Sequence, residues 1–532
     1  MNNTRLDLDQ FSFQSWRLSL LSYQKTRQIR SKSTMSKPPV NDSTLRTPAV
    51  VIPSALLQRY VAAIPRYTSY PTAPQFSEEY SQENYQQLAK SSNETLMPRN
   101  LSLYVHVPFC HSLCYFCGCN KVITQAGNTK VNKYVENLLH EIDLRSTLFD
   151  DDRRLSQIHF GGGTPNFLSE SQLAEIVERI ASRFRLDLPS RLEVGIEIDP
   201  RSINAKGIAQ LADIGFNRFS IGVQDFANNV QRAVNRVQDE SKTLEVIAAA
   251  CEVSDSVNVD LITGLPLQTS KSFAHTLERV VDAGVSRIAA YNFAYLPERI
   301  KAQKLINPNE IPSVEQRMEI VEITRTTLLD AGYLHIGMDH FALPSDSLAQ
   351  ALQNNTLQRN FQGYTTNATT DLIGVGASAI SQFKYSFSQN HTQLSNYNSA
   401  IAAGHLPIAR GVTLDNDDVL RAHIIQEIMC RNSIDLHRNT WDIVETSEKV
   451  TLADYFSAEL ASLKRCIEDG LLEISANSME ITPLGAYFRR QMASLFDAYL
   501  PTNTHIPPSF RSKHTNQASQ KRENVVKFSQ GL

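Results

Sequence analysis

From Leu101 onward the chain repeats one unit six times: a short apolar strand, a polar or glycine-rich loop, then a stretch of helical period. The candidate strands are 101–107, 155–160, 192–198, 218–223, 257–262 and 287–293, with helix-like stretches such as 132–146, 171–184, 241–251 and 272–283 between them. Strands and helices that alternate in this way build an α/β parallel sheet with helices outside, either open and doubly wound or a full or partial TIM-type barrel. The chemically unusual residues all fall at one end of these strands. A cysteine cluster follows the first and Gly161-Gly162-Gly163-Thr164-Pro165 the second, while Glu197 and Asp199, Gln224, Asp260 and Asn292 stand near the ends of the third to sixth. In a β/α barrel all of these positions face the C-terminal rim, where such enzymes work.

The 532 residues, 42% of them hydrophobic, suffice for one large core and a second, smaller one. Lys and Arg number 52 against 55 Asp and Glu, a net charge of −3, so no broad positive field exists to hold a nucleic acid. No apolar run reaches the roughly 18 residues of a membrane span, and no membrane partner is expected. Seven cysteines, an odd number with four of them inside residues 110–119, do not suit a secreted disulfide framework. They suit a reducing, cytoplasmic compartment and a metal or redox site. The basic residues of the first fifty positions are accompanied by Asp7 and Asp9 and no apolar segment, so this stretch is read as a disordered extension rather than a targeting signal, with Met35 a second candidate start. The tail from Pro501 is polar and is expected to be disordered. Beyond about residue 410 the pattern becomes helix (415–431), helix (452–469), short hairpin (470–474 and 479–481) and helix (483–495). That order resembles a winged-helix module, read here as a lid or docking domain.

The cysteine loop, Tyr104 to Asn120, carries Cys110-x3-Cys114-x2-Cys117. Thiolates are the ligands of iron-sulfur clusters, and three on one loop leave one iron of a cubane open to chelate a second molecule. A structural zinc ordinarily draws four ligands from two C-x2-C knuckles, and the chain has no second knuckle. The spacing, with Phe116 before the third cysteine, resembles the radical S-adenosylmethionine (SAM) signature. That resemblance implies a [4Fe-4S] cluster held by Cys110, Cys114 and Cys117, SAM on the open iron, and a 5′-deoxyadenosyl radical as the oxidant. The glycine run resembles the segment by which that superfamily approaches the SAM methionine group, where bare backbone is needed.

Residues 104–120 and 161–165, with 196–201, 222–226, 260–266, 337–341 and 360–364, together resemble the oxygen-independent coproporphyrinogen III oxidase family across roughly residues 64–500. The resemblance implies oxidative decarboxylation of two propionates of coproporphyrinogen III to vinyl groups, one SAM for each. It also implies an electron donor such as flavodoxin or ferredoxin, an electron acceptor of unknown identity, and a monomer in the cytoplasm. Two SAM molecules are implied at the site, one contacting Tyr104, Gly162, Glu197 and Ile380, the other Phe116, Gly163, Thr164, Gln224, Arg236, Asp260 and Ala294. By their chemistry alone, Glu197 and Asp260 suit ribose hydroxyls or an amino group but equally a helix cap or salt bridge. Arg236 suits a carboxylate or a solvated face, and Gln224 a ligand or a satisfied buried amide. Cys119 is read as near the site but not a ligand.

The fold so implied is a partial (β/α)6 TIM-type radical SAM barrel with a mainly helical, winged-helix-like C-terminal domain. Its expected divisions are an extension (1–55), a substrate-lid segment (56–100), the barrel (101–405), the helical domain (406–500) and a tail (501–532). Radical SAM haem chaperone-like proteins share the loop and barrel but generally lack the 65–72 segment, the fourth cysteine and the 359–366 segment, all of which stand here. Arg66 with Tyr67 and Tyr70, and Arg359 with Phe361 and Tyr364, are suited to cover an apolar ring bearing four carboxylates. A winged-helix regulator with an iron-sulfur sensor is the third reading, opposed by the near-neutral charge and the six-unit barrel.

Overall fold

A computed structural model describes residues 52–60, 62–367, 370–444, 450–475, 477–500 and 530–531. The stretches expected to be disordered lie outside these residues, apart from 52–55 and 530–531. Gln530–Gly531 pairs antiparallel with Ala62–Ala63.

Six strands form the centre of a 13-stranded sheet: β1 (Asn100–Val107), β2 (Arg154–Gly162), β3 (Glu193–Ile198), β4 (Arg218–Gln224), β5 (Val257–Thr263) and β6 (Arg287–Asn292). They stand side by side in chain order, each parallel to the next. Each is followed by a helix: α1 (Thr129–Ser146), α2 (Glu170–Arg183), α3 (Ala205–Ile214), α4 (Glu240–Val253), α5 (Ser270–Asp282) and α6 (Val314–Asp330). Local signals set the helix limits. Ser169 with Gln172, Thr269 with Ser272 and Ser313 with Gln316 form capping boxes, and Gly215 ends α3 at φ 124°. On α2 the stripe Leu173, Ile176, Val177, Ile180 recurs at helical spacing and is buried against the sheet. The strands are covered on both faces, which is why they read as apolar runs rather than alternations.

The sheet does not close. On one side β7 (Leu334–Gly337) and β8 (His340–Ala342) form an antiparallel hairpin on β6. On the other, β9 (Thr370–Val375) runs parallel to β1, and β10 (Ile380–Phe383), β11 (Ser386–Asn390) and β12 (Ile408–Thr413) continue as an antiparallel meander. The architecture is therefore a partial barrel extended at both edges. The sequence pattern missed this meander, and the expected division at 405/406 falls before its last strand.

Beyond β12 lies α7 (Asn416–Cys430). One helix was expected over 452–469; the chain instead makes three short ones, Leu452–Tyr455, Ser457–Ser462 and Lys464–Glu468. The breaks come at Phe456 (ψ 24°) and Leu463 (ψ −3°), whose side chains are buried. The expected hairpin, Leu472–Ile474 with Ser478–Ile481, gains a third strand, Ser433–Asp435. This domain has its own core, and Leu56, Ile64, Tyr67 and Tyr70 of the N-terminal segment belong to that core rather than to the barrel's.

Candidate active site

The cysteine loop is pinned at both ends before it carries any chemistry. Phe109–Cys110 pairs with Val122–Ile123, the Val122 N–H donating to the Pro108 carbonyl at 2.6 Å, so residues 110–122 close into a tight loop on the end of β1. The segment after β4 grips it from the side: the Tyr115 N–H donates to the Val234 carbonyl at 2.9 Å and Asn235 Nδ2 to the Leu113 carbonyl at 2.7 Å. Lys121 Nζ donates to the Cys117 carbonyl at 2.7 Å. All four thiols of the loop are free; Cys114 is buried, Cys110 and Cys117 half-buried, and Cys119 exposed.

These thiols open on a cavity of about 450 Å³ lined by the ends of β2 to β6. The glycine run forms its floor. Gly162 takes φ 118°, and a Cβ there would lie 2.6 Å from the His106 ring; one on Gly163 would lie 2.8 Å from the Pro108 carbonyl. Backbone without side chains is thus a steric necessity at both positions. The Gly162 N–H donates to Glu197 Oε2 at 3.1 Å, and His159 Nε2 stands 3.5 Å from Glu197 Oε1. Asp260 accepts from Ser220 Oγ at 2.9 Å and from Asn258 Nδ2 at 2.9 Å. Burial, reinforced by the Glu197 charge, pushes its carboxyl up to about 6. Gln224 ends β4 at φ 65°, beside a register shift, and the strained turn presents its amide to the cavity.

Positive charge is concentrated at the sulfurs. Arg236 Nη1 donates to Cys114 Sγ at 3.6 Å and Arg201 Nη2 at 3.8 Å, while Thr164 Oγ1 donates to Cys110 Sγ at 3.4 Å. Both guanidiniums share Asp199, at 3.4 and 2.6 Å respectively. Burial raises the Asp199 carboxyl, but Arg236 and Arg201 outweigh it and hold the group down at about 2. Burial pushes the Cys110 thiol up to about 11, whereas the hydrogen bond with Cys119, helped against burial by Lys121, holds the Cys117 thiol below its ordinary value. The Nε of Arg236 is buried with no acceptor.

Among the described residues no three His, Cys, Asp or Glu side chains gather as a single-ion site. Zinc draws its four ligands about one point, whereas a cubane takes each thiolate on a different iron. Three free thiols spaced along one loop, faced by arginines that offset thiolate charge, fit the [4Fe-4S] group.

Of the residues singled out by sequence, Cys110, Cys114, Phe116, Cys117, Gly162, Gly163, Thr164, Glu197, Gln224, Arg236, Asp260 and Ala294 line the cavity together. Tyr104 and Ile380 stand outside its lining. The Tyr104 ring stacks on His159 beneath Gly161, and Ile380 opens β10. Sequence reasoning missed Arg201, Tyr291 and Gln303. Arg201 carried a signal, adjacency to Asp199-Pro200; Gln303, which ties the Phe116 and Ala294 carbonyls at 3.2 and 2.9 Å, carried none.

The Radical SAM superfamily profile matches residues 104–280. The oxygen-independent coproporphyrinogen III oxidase of Pseudomonas aeruginosa is 41% identical over 448 residues, 84% of this chain and 96% of that protein. That of Escherichia coli is 40% identical over 84% of this chain and 95% of its own length. A solved structure described as the coproporphyrinogen III oxidase (HemN) of Escherichia coli, a radical SAM enzyme, superposes with TM-score 0.77 at 38% identity, covering 85% of this chain and 100% of that one.

Proposed function

The chain belongs to the oxygen-independent coproporphyrinogen III oxidase family of radical SAM enzymes, and we propose that the cavity at its barrel mouth is where that family's reaction takes place. The reaction is the oxidative decarboxylation of coproporphyrinogen III to protoporphyrinogen IX in porphyrin and haem biosynthesis. When bound, the [4Fe-4S] cluster and SAM would supply one-electron oxidising chemistry able to remove a hydrogen atom from a propionate β-carbon, the vinyl group then forming with loss of CO2 and of one electron to a separate acceptor.

Cys110, Cys114 and Cys117 would hold the cluster. Arg201 and Arg236 donate toward Cys114 and offset the charge that three thiolates bring into a partly buried site. Glu197 fixes the Gly162 amide, leaving Gly163 and Thr164 to meet a ligand by backbone and hydroxyl. Asp260, held by Ser220 and Asn258, is oriented to accept from a ribose hydroxyl or an ammonium group. Tyr104, Gly162, Glu197 and Ile380 are assigned to one SAM, and Phe116, Gly163, Thr164, Gln224, Arg236, Asp260 and Ala294 to a second. An electron donor of the flavodoxin or ferredoxin kind, a separate acceptor, a monomeric state and a cytoplasmic location complete the proposal. Among the described residues no helix is long and apolar enough to cross a membrane.

The observation that carries this reading is one cavity shared by three free thiols of one loop, a glycine floor and the carboxylates of Glu197 and Asp260. The oxidase rather than the chaperone-like relative is favoured by the 65–72 segment, Cys119 and the 359–366 segment, and by the relatives' names. The test is anaerobic reconstitution with iron and sulfide, followed by reductant, SAM and coproporphyrinogen III. Protoporphyrinogen IX with one 5′-deoxyadenosine per vinyl group formed is the expected result. Deoxyadenosine without protoporphyrinogen, or haem retained on the protein, would overturn it.

A further inference from the structure

Beside the cavity, where β6 meets the C-terminal domain, lies a second cluster of charge that the cofactor chemistry does not use. Arg66 comes from the N-terminal segment and Arg359 from the hairpin of Gln358–Asn360 with Gly363–Thr365; they meet where Arg359 Nε donates to the Arg66 carbonyl at 3.4 Å. Arg489 and Arg490 of the C-terminal domain stand behind them, bonded to backbone carbonyls of residues 428, 431, 64 and 65 and, from Arg489, to Asn432 Oδ1, with Arg489 Nε left without a partner. Against these four guanidiniums the cluster holds one carboxylate partner, Asp339, paired with Arg66. Among the described residues no ion pair is made by Arg359, Arg489 or Arg490.

Arg359 is 6% exposed, and its Nη1 is a buried donor without an acceptor. The Nε2 of Gln362, in the turn of the same hairpin, and Nδ1 of His340 are also buried without partners. An unpaired buried cation with idle donors beside it is costly unless an anion arrives. The neighbouring imidazole adds no charge, because burial and the Arg359 charge push His340 down to about 3. The Arg359 guanidinium carbon also lies 4.9 Å from the centroid of the Tyr364 ring, a cation–π contact. It also borders the active cavity, since the Arg66 guanidinium carbon is 5.6 Å from the centroid of Tyr291, and Tyr291 lines that cavity with Asp260 and the cysteine loop.

We propose that Arg359 and Arg66 seat a propionate carboxylate of the porphyrinogen other than the one under attack, so that this subsite sets the substrate's orientation over the cavity. The inference rests on the reading of the substrate given above. A planar guanidinium offers a carboxylate two parallel N–H donors, and Tyr291, which lines the cavity, offers an aromatic face to a tetrapyrrole. Coproporphyrinogen III carries four propionates, so three other carboxylates must be accommodated while the first reacts and two while the second does.

The test uses the reconstituted holoenzyme and two probes: coproporphyrin III, the air-stable oxidised tetracarboxylate, titrated by fluorescence, and coproporphyrinogen III in turnover. Arg359→Gln is expected to weaken coproporphyrin binding and raise KM roughly 10- to 100-fold, the range of one charge-assisted hydrogen bond. Arg359→Lys should recover part of the loss. Arg66→Gln, at a less buried position, provides a second variant should loss of the buried guanidinium prevent folding, which iron content and circular dichroism would reveal. Unchanged affinity and KM in folded Arg66→Gln and Arg359→Gln, or in Arg66→Gln alone where Arg359→Gln does not fold, would overturn the subsite while leaving the oxidase reading intact. A wild-type protein that forms no protoporphyrinogen would defeat the oxidase reading first.

Discussion

Three side chains in the cavity show how neighbours decide a residue's role. Cys117 and Cys119 share a hydrogen bond, yet Cys119 is exposed and lies outside the C-x3-C-x2-C set. Cys117→Ser is expected to abolish iron incorporation on anaerobic reconstitution, while Cys119→Ser should keep iron and sulfide content near wild type; an iron-free Cys119→Ser protein would make Cys119 a ligand. Asp260 differs in that its environment opposes its charge. The folded apoprotein keeps the Asp260 proton up to about pH 6, whereas the unfolded chain releases it near the ordinary value of 3.8. The folded state therefore binds more protons between these values, and stability falls as pH rises from about 4 to 6. Asp260→Asn is expected to remove that slope and stabilise the apoprotein by about 1–3 kcal/mol at neutral pH, read from urea unfolding at pH 5 and 7.5, while weakening SAM binding. An unaltered pH slope would show that Asp260 ionises freely.

Among the elements, α1 binds the parallel strands to the antiparallel meander through a wholly buried ion pair. Arg145 Nε donates to Glu141 Oε1 at 2.7 Å, and Arg145 Nη2 reaches Asn390 of β11 at 2.8 Å. Glu141 Oε2 accepts from the Gly376 N–H at 2.7 Å and from Tyr397 Oη at 2.8 Å. Removing one partner strands the other charge in the core, so Arg145→Ala is expected to cost about 3–5 kcal/mol, measured by denaturant unfolding. A replacement of both by apolar residues of similar volume, Glu141→Leu with Arg145→Met, should cost less than Arg145→Ala alone.

At the scale of the molecule, two cores are tied by the N-terminal segment. Tyr67 Oη donates to Asp497 Oδ2 at 3.0 Å, the Ala498 N–H donates to Tyr70 Oη at 3.0 Å, and Arg490 binds the carbonyls of Ile64 and Pro65. Ile64, Pro65, Tyr67 and Tyr70 are thus held by the C-terminal domain while Arg66 reaches toward the barrel mouth. A chain ended after Thr413 is expected to be cut by trypsin at Arg66 at least ten-fold faster than the full chain, with the barrel surviving. Equal cleavage rates would mean that the barrel alone orders this segment.

The amino-acid sequence by itself determined the six parallel strands, the helices between them and the rim on which cysteines, glycines and carboxylates assemble. Those features are local: a strand buried on both faces is an apolar run, and a capping box is spelled within four residues. Tertiary structure alone decided the meander, the third strand of the C-terminal sheet and the partners of the charges. Ser386–Asn390, reading SFSQN, has one strongly apolar residue and is a strand because β10 and β12 lie on either side. Glu141 and Arg145 have the spacing of a solvated helix pair but are wholly buried, and Arg359 lacks a counter-charge only because of what the fold brings around it. Which side chain stands opposite another is set by contacts between residues hundreds of positions apart, and no periodicity along the chain encodes them.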